Sequence, residues 1–434
     1  MRAMGTNPLI CIAPLWTCAA ACASSEVLVS DLAGLTVYAP VAAARAMSVG
    51  GTWCNLGPDA APWNPLTSGH PVTATNLLRV ENGGLREIGV GWAWHHVNCA
   101  LQLSGCATCA PVPGPCPPAL GAGCTTTSTA AALGTQGALG MRSQVNASAA
   151  TFPFPLVEPP VTDGLSRRCR YQIADVDPAQ HPNAHFAAQT VTIAASTGAP
   201  VERSAIREIA ATTLANGGSA YAGAATTSAS AVDFWKSIEP SVAITVIDIA
   251  NDGRILVASR VAPVAGGYRY DYAIENLNSH ESVGAFEVPV GSAEGMRSIT
   301  FAAPLVHSGE VTSNAPWTSS LDASTLTWAT TPFAADPNAN AIRWGTTYSF
   351  SFVSPQAPAT RVATITLFRS AASVDATVSA PRAIGDLDGD GVVNSIDLGL
   401  LLGAWGRCAS CAADLDGDGV VGSADLAILL GAWE

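Results

Sequence analysis

A fourteen-residue segment near the C-terminus of this 434-residue chain occurs twice, 28 positions apart. Residues 385–398 read GDLDGDGVVNSIDL and residues 413–426 read ADLDGDGVVGSADL, and each copy continues into an apolar stretch that ends in Gly-Ala-Trp. Aspartates at alternate positions repel one another unless a cation lies among them. The repeat therefore limits residues 382–434 to a small module built from two equivalent loops, each suited to a metal ion.

The spacing of the oxygen-bearing residues is that of an EF-hand calcium loop, with ligands at positions 1, 3, 5, 7, 9 and 12 and glycine at position 6. The first copy supplies the side chains of Asp386, Asp388, Asp390, Asn394 and Asp397 and the carbonyl of Val392. The second copy supplies Asp414, Asp416, Asp418 and Asp425 and the carbonyl of Val420. We therefore predict two Ca²⁺ sites.

The two predicted sites are unequal, because position 9 of the second copy is Gly422, which has no side chain. A water molecule must serve there, so we expect the second site to be weaker or more hydrated. Two alternatives are a pair of Asp-Gly turns without metal and a parallel β-roll, although the nonapeptide period of a β-roll is absent.

One amphipathic helix is predicted after each loop, and no helical segment precedes either loop. The apolar positions are Leu398, Leu401, Leu402 and Trp405 in the first copy and Leu426, Leu429, Leu430 and Trp433 in the second. This spacing gives each helix one apolar face, and the two faces are expected to pack on each other. Cys408 and Cys411 lie between the copies, as a disulfide or as free thiols.

Two Asp-x-Asp-x-Asp-Gly loops, each followed by one helix, resemble a type I dockerin, and the resemblance covers about 50 of the 434 residues. It implies a small all-α module that binds a cohesin-like partner or surface assembly; such modules often carry polysaccharide-degrading enzymes. In that family, loop positions 10 and 11 carry partner specificity, and here they are Ser395-Ile396 and Ser423-Ala424. The rest of the chain, in particular residues 51–55 and 270–278, resembles uncharacterised secreted bacterial proteins that end in dockerin-like modules. This second resemblance does not indicate an activity.

Residues 1–23 have the features of a signal peptide: Arg2, an apolar stretch and the cleavage sequence Ala21-Cys22-Ala23. A buried first element and a lipoprotein signal are the alternatives. No later stretch is long and apolar enough for a transmembrane helix. We therefore expect a secreted, extracellular or cell-surface protein.

Cysteine usage agrees with export, because seven cysteines lie between Cys54 and Cys169. The odd number leaves one thiol free or paired elsewhere. Cys106 and Cys109 have the spacing of a zinc ligand pair, but disulfides are favoured in an oxidising compartment.

The chain is predicted to be mostly β, because period-two alternation of apolar residues dominates its middle. Tyr270 and Tyr272, for example, alternate with Arg269 and Asp271, which predicts a strand with one buried face. We assign residues 24–169 to a Cys-rich β domain, 170–369 to an antiparallel β-sandwich, 370–381 to an Ala/Ser/Val-rich linker and 382–434 to the module. Residues 201–214 match a single helix.

A catalytic site is not evident from the sequence, and no hydrolase or nucleotide-binding motif is present. With a net charge of −13 and no basic stripe, nucleic-acid binding is not expected. Three groups of residues are candidates, and an ordinary structural role is favoured for each. They are the aromatic-histidine cluster of Trp92, Trp94, His95 and His96, the histidine pair His181 and His185, and the carboxylate cluster of Asp163, Asp175 and Asp177.

Three functional hypotheses remain from the sequence. The favoured one is a calcium-binding protein that attaches through its C-terminal module to a cohesin-like partner. The second is a polysaccharide-binding or glycoside hydrolase-type protein carried by that module. The third is a structural protein with a calcium-stabilised cap.

Overall fold

A computed structural model describes residues 26–68, 70–94, 98–155, 158–194, 203–408 and 411–433. Strands make up 41% of the chain and helices 12%, and the strands form several antiparallel sheets, so the predicted mostly β fold is confirmed. The predicted signal peptide and the His95–His96 pair lie outside the described residues. No described helix has the length and apolar character needed to cross a membrane.

The first structural unit spans residues 27–227. Its strands are β1 Val27–Asp31, β2 Leu35–Val37, β3 Ala44–Val49, β4 Gly51–Asn55, β5 Ala61–Pro62, β6 Val72–Glu81, β7 Gly84–Trp94, β8 Leu103–Ser104, β9 Ala119–Leu120, β10 Cys124–Ser128, β11 Leu139–Gly140, β12 Cys169–Gln172, β13 His185–Ile193, β14 Ser204–Ile209 and β15 Thr226–Thr227. Short helices are α1 Ala130–Leu133 and α2 Ala211–Asn216. The largest sheet has the order β15-β14-β13-β6-β7-β12-β3-β2, with β11 paired to β7.

The boundary predicted between residues 169 and 170 is wrong, because β12 to β15 complete this sheet. β13 pairs with β6 over nine residue pairs, and β14 pairs with β13. The single helix predicted for residues 201–214 is also wrong. Ser204–Ile209 is a strand and only the next segment is helical, because ladder pairing with β13 outweighs a weak local helix preference.

The second unit is a pair of five-stranded antiparallel sheets, with the orders β16-β17-β18-β23-β20 and β21-β22-β19-β24-β25. Its strands are β16 Ala243–Asp248, β17 Arg254–Val264, β18 Gly267–Asn276, β19 Val283–Pro289, β20 Arg297–Ala302, β21 Thr318–Leu321, β22 Thr325–Ala329, β23 Thr346–Ser354, β24 Pro358–Leu367 and β25 Ser373–Pro381. Both sheets contribute to one core that includes Tyr272, Phe286, Trp328 and Phe350.

The linker predicted at residues 370–381 is wrong, because most of it is strand β25. This strand pairs with β24 over nine residue pairs. Ala376, Val378 and Ala380 alternate into the core of the sandwich. The small side chains gave this segment a linker-like composition, although their period-two order is that of a half-buried strand.

Cysteine pairs cross-link the first unit and the C-terminal module: Cys54–Cys106, Cys99–Cys116, Cys109–Cys124 and Cys408–Cys411. Cys106 and Cys109 therefore face different partners, an arrangement that favours disulfides over a shared zinc ion. The odd thiol is Cys169, which is buried, and burial raises its pKa. A protonated, buried thiol of this kind is unreactive.

Aromatic side chains fill the core of the first unit. The ring of Trp53 stacks on that of Trp94 with a centroid separation of 5.7 Å, and His70 lies edge-on to Trp63 and Trp94. Trp92 and Trp94 are each only 4% exposed. These tryptophans are therefore packing residues, and they do not form an exposed sugar-binding platform.

Helix α3, Ala231–Ile238, joins the two units in a shared core. The Trp235 indole donates a hydrogen bond to the Gly83 carbonyl at the turn between β6 and β7, at 3.0 Å. Apolar side chains from both units surround this helix: Leu78, Leu85, Ile206, Leu256 and Ala273. The two units are thus fixed to each other by burial and are not independent modules.

Buried polar groups extend this contact. The Arg142 guanidinium donates to the Gly345 carbonyl at 2.8 Å and to Asn76 Oδ1 at 2.7 Å. Glu87 Oε2 accepts the Thr347 amide at 2.6 Å. Burial raises the pKa of Glu87 to about 8 and that of Glu275 to about 7. Both carboxyls are therefore largely protonated below neutral pH.

Stability should fall as pH rises from 5 to 8.5. Raised folded-state pKa values mean that the folded protein binds protons more tightly than the unfolded chain, whose glutamates titrate near 4.5. The stabilisation is fully present below that value and is lost as pH passes through about 7 and then 8. Urea unfolding of the Glu87→Gln variant should show a smaller loss over this range. The exposed substitution Glu294→Gln is the control, and an equal pH dependence in all three proteins would contradict the assignment.

Candidate metal centre

The first aspartate-rich loop gathers three carboxylates. Oxygen atoms of Asp386, Asp388 and Asp390 all lie within 4.8 Å of one another. Asp386 is held in place by the backbone amides of Gly389 and Gly391, which donate to its two oxygens at 2.7 and 3.2 Å. Both glycines have positive φ, +82° and +95°, so glycine is required for the chain to wind round the carboxylates.

The second loop repeats this construction. Asp414, Asp416 and Asp418 form the same group. The amides of Gly417 and Gly419 each donate to Asp414 at 2.9 Å. The two loops therefore have the same hydrogen bonds as well as the same sequence, because corresponding glycine amides donate to corresponding aspartate oxygens.

The aspartates at position 12 are placed differently from these triplets. Asp397 Oδ1 accepts the Leu387 amide at 2.6 Å, and its Oδ2 accepts the Asn394 amide at 2.8 Å. Asp425 makes the same bonds to Leu415 and Gly422. Burial alone would raise the pKa of Asp397, but the backbone amides that donate to it outweigh burial and lower the pKa. The pKa of Asp425 is also lowered, mainly by the hydrogen bond from the Gly422 amide. Metal ligation by these two residues stays a prediction.

The remaining predicted ligands differ between the copies. Asn394 Oδ1 accepts the Ile396 amide at 2.8 Å and so caps the helix that follows, whereas Gly422 has no side chain for this bond. Val392 and Val420 have exposed side chains, and metal ligation by their carbonyls stays a prediction. The unequal position 9 is thus a difference in helix capping as well as in ligand number.

The donor set fits a calcium ion. Three converging carboxylates give hard oxygen ligands, and carbonyl and water oxygens are within the normal calcium repertoire. Asp386 is only 1% exposed, and burial raises its pKa despite the two glycine amides and nearby Arg382. A divalent cation at this position would offset both the burial of Asp386 and its repulsion by Asp388 and Asp390.

The helices that follow the loops are α4 Ser395–Gly403 and α5 Ser423–Gly431. They pack through a small core in which Leu401 and Leu429 are fully buried. The segment also contains two short paired strands, β26 Gly406–Arg407 and β27 Val420–Val421. The expectation that each apolar face would be buried is wrong for four residues, which are about half exposed: Leu402, Trp405, Leu430 and Trp433.

The first loop also contacts the sandwich, a contact that the spacing of the repeat does not predict. The Arg382 amide donates to the Ala357 carbonyl at 2.8 Å, and its guanidinium donates to the Leu387 carbonyl at 3.2 Å. A Cβ at Gly391 would lie 3.2 Å from the Thr360 carbonyl oxygen of β24, whereas Gly419 has open space around it. The sequence feature that could have predicted this contact is Arg382, which lies four residues before Asp386. The equivalent position, four residues before Asp414, is not basic.

Gly391→Ala should therefore destabilise the protein more than Gly419→Ala. Alanine at either position adds the cost of a positive φ, about 1–2 kcal/mol. Only at Gly391 does the new methyl group also push the loop away from β24. Thermal unfolding in excess calcium should show the larger fall in Tm for Gly391→Ala, and equal falls would contradict this packing of the first loop.

The other candidate residues are not brought together as metal or catalytic sites. His181 contacts Arg79 and Glu81 at 2.8 Å each, whereas His185 lies 3.5 Å from Glu208. Each of the three candidate carboxylates has its own partner: Asp163 accepts the Leu165 amide, Asp177 accepts the Ala179 amide and Asp175 lies beside Arg79. Within the described residues, the groups of three close metal-binding side chains are the two aspartate triplets. No protein-family model, curated protein or solved structure matches this chain.

Proposed function

We propose that this chain is a secreted or cell-surface calcium-binding protein and that residues 382–434 form a dockerin-like attachment module. The observation that carries the proposal is the pair of aspartate triplets, built with the same amide hydrogen bonds 28 residues apart. Each triplet leads directly into a helix. The cross-linked first unit agrees with an oxidising, extracellular setting.

Calcium binding and folding are coupled in this proposal. Each loop holds four aspartates, and the module has only a small core of its own around Leu401 and Leu429. Without a cation, the mutual repulsion of the carboxylates opposes the loop conformation that this core needs. Calcium thus provides part of the free energy that holds α4 against α5.

Calorimetry of the full chain should therefore detect two calcium ions bound with unequal affinity. Asp388→Ala should remove the tighter site and Asp416→Ala the weaker one, because each takes one carboxylate from a triplet. Exposed Asp322→Ala, outside both loops, is the control. A stoichiometry of zero in the unaltered chain, or one unaffected by both loop variants, would rule out the proposed sites.

Attachment would use the apolar side chains that the helices leave exposed. Leu402 lies on α4 and Trp405 lies just after it. Leu430 and Trp433 are their counterparts 28 residues later, and all four side chains are 42–52% exposed. Ile396 is 57% exposed, and its counterpart Ala424 is exposed as well. Exposed tryptophan and leucine beside small polar residues are suited to a protein partner with an apolar patch.

A cohesin-like partner immobilised on beads should retain the full chain in calcium and release it in EDTA. The double variant Ile396→Asp with Ala424→Asp should abolish retention while leaving calcium binding unchanged, because these side chains point away from the core of the module. Leu66→Asp is the control, since Leu66 is an exposed leucine of the first unit. Calcium binding without retention would leave a calcium-stabilised cap as the function of the module.

A further inference from the structure

The junction between the two β units contains a polar cleft that the attachment module does not touch. Two adjoining cavities of about 240 and 370 Å³ meet at Arg86 and Ala302. One wall comes from β6, β7 and β12 of the first unit, and the other comes from β18, β20, β23 and the segment after β20. The larger cavity alone lies within the range of about 300–1,000 Å³ that is typical of small-molecule sites, which favour domain junctions.

The carboxylates of the cleft already have cationic partners. Arg79 lies 3.8 Å from Glu81 and 3.5 Å from Asp175. Asp271 accepts the Arg269 guanidinium at 2.8 Å. Glu87 accepts the Thr347 amide, and its pKa of about 8 keeps it mostly neutral at pH 7. Three ionised carboxylates of the cleft therefore share two arginines, Arg79 and Arg269, before Arg86 and Arg170 are counted.

Arg86 and Arg170 bring the lining of the two cavities to four arginines against three ionised carboxylates, which is a net positive charge. Neither guanidinium makes a hydrogen bond or a close ion pair among the described residues, although Arg170 helps to lower the pKa of Asp163 and Arg86 is exposed. The side-chain amide of Gln172, in the same cavity, has no hydrogen-bond partner among these residues. His307, at the same wall, is kept neutral because burial and Arg170 lower its pKa. In a chain with a net charge of −13, a cavity lined by Arg86 and Arg170 is a local region of positive charge that favours an anion.

The spacing of the two arginines points to an extended ligand. Arg170 is paired with Val90 across β12 and β7, and Arg86 lies four residues before Val90 on β7. At about 3.3 Å per residue, their backbone positions are about 13 Å apart along the cleft. Two arginines spaced along one strand face in this way, with Ile88 between them, match an oligomer that carries a carboxylate on successive units.

The uncharged wall between them suits the body of such a ligand. The same cavity is lined by Ile88 on the strand face and, on the opposite side, by Pro304, Leu305 and Val306. Leu305 is 57% exposed and stands at the rim. Aliphatic walls of this kind contact the C–H faces of sugar rings, while guanidinium and amide donors bind carboxylates and hydroxyls.

We propose that this cleft binds an acidic oligosaccharide, with Arg86 and Arg170 each receiving a uronate carboxylate and Gln172 a hydroxyl. The ligand lies between the two β units, on the face of β7 and β12. The C-terminal module then attaches a protein that holds an acidic glycan.

Calorimetry of the full chain with trigalacturonate tests the proposal, with neutral maltotriose and inorganic phosphate as comparison ligands. Trigalacturonate should bind, and its affinity should fall with added salt. Arg86→Gln and Arg170→Gln should each weaken binding by about tenfold, as expected for loss of one charged hydrogen bond. Arg407→Gln makes the same charge change on the module and should leave affinity unchanged. Arg170→Lys, which keeps the charge but loses the planar fork, should retain part of the affinity.

Several results would overturn the proposal: no heat with trigalacturonate, equal binding of maltotriose, or equal binding of phosphate. Binding that persists in both glutamine variants would place the glycan elsewhere, for example on calcium held by the module. Calcium is kept at one concentration throughout, so a bridge of that kind is common to all variants. Unchanged Tm values of the glutamine variants show that a lost affinity is not a lost fold.

Discussion

The structure depends on burial of the second face of β18 and β23 against the first unit. A sandwich strand normally leaves one face to solvent, but Ala273 and Glu275 on the outer face are as buried as Tyr272 and Ile274 on the inner one. Helix α3 and the turn between β6 and β7 cover that outer face. Polar groups trapped there must find partners inside the protein, which explains the hydrogen bonds of Arg142 with Gly345 and of Glu87 with Thr347.

This contact also creates the cleft. The two units meet firmly at α3 and at Arg142, but beyond Arg86 their surfaces diverge and leave a polar cavity lined by strands from both sides. Arg86 and Arg170 lie on β7 and β12, which are each hydrogen-bonded to a neighbouring strand on both sides, so a rigid support carries both guanidiniums. The site belongs to neither unit alone, and separation of the units would destroy it.

The C-terminal segment is tied to the same framework at its first loop. Arg382 and Gly391 place the first aspartate loop against β24, whereas the second loop faces open space. Two loops of nearly identical sequence are therefore unequal for two separate reasons, the missing side chain at Gly422 and the contact with the sandwich. Local spacing predicts the first difference, and the second depends on a neighbour far away in sequence.

Features that arise from local chemistry were predictable from the order of the residues. Alternation of apolar residues predicted the β class and the buried Tyr270–Tyr272 face of the sandwich. The spacing of the aspartates predicted the grouping of Asp386, Asp388 and Asp390. Each of these features depends on a backbone period or a turn within a few residues. The order of the residues did not determine the unit boundary, strand β25 or the burial of Glu87 and Glu275. Those features follow from which surfaces meet in the folded protein. Packing of the two units covers β18 on both faces and brings Arg86 and Arg170 into one cavity. The choice of a distant partner strand leaves no mark in either segment. Composition therefore assigned the small residues of β25 to a linker, despite their period-two order, and assigned carboxylates to the surface.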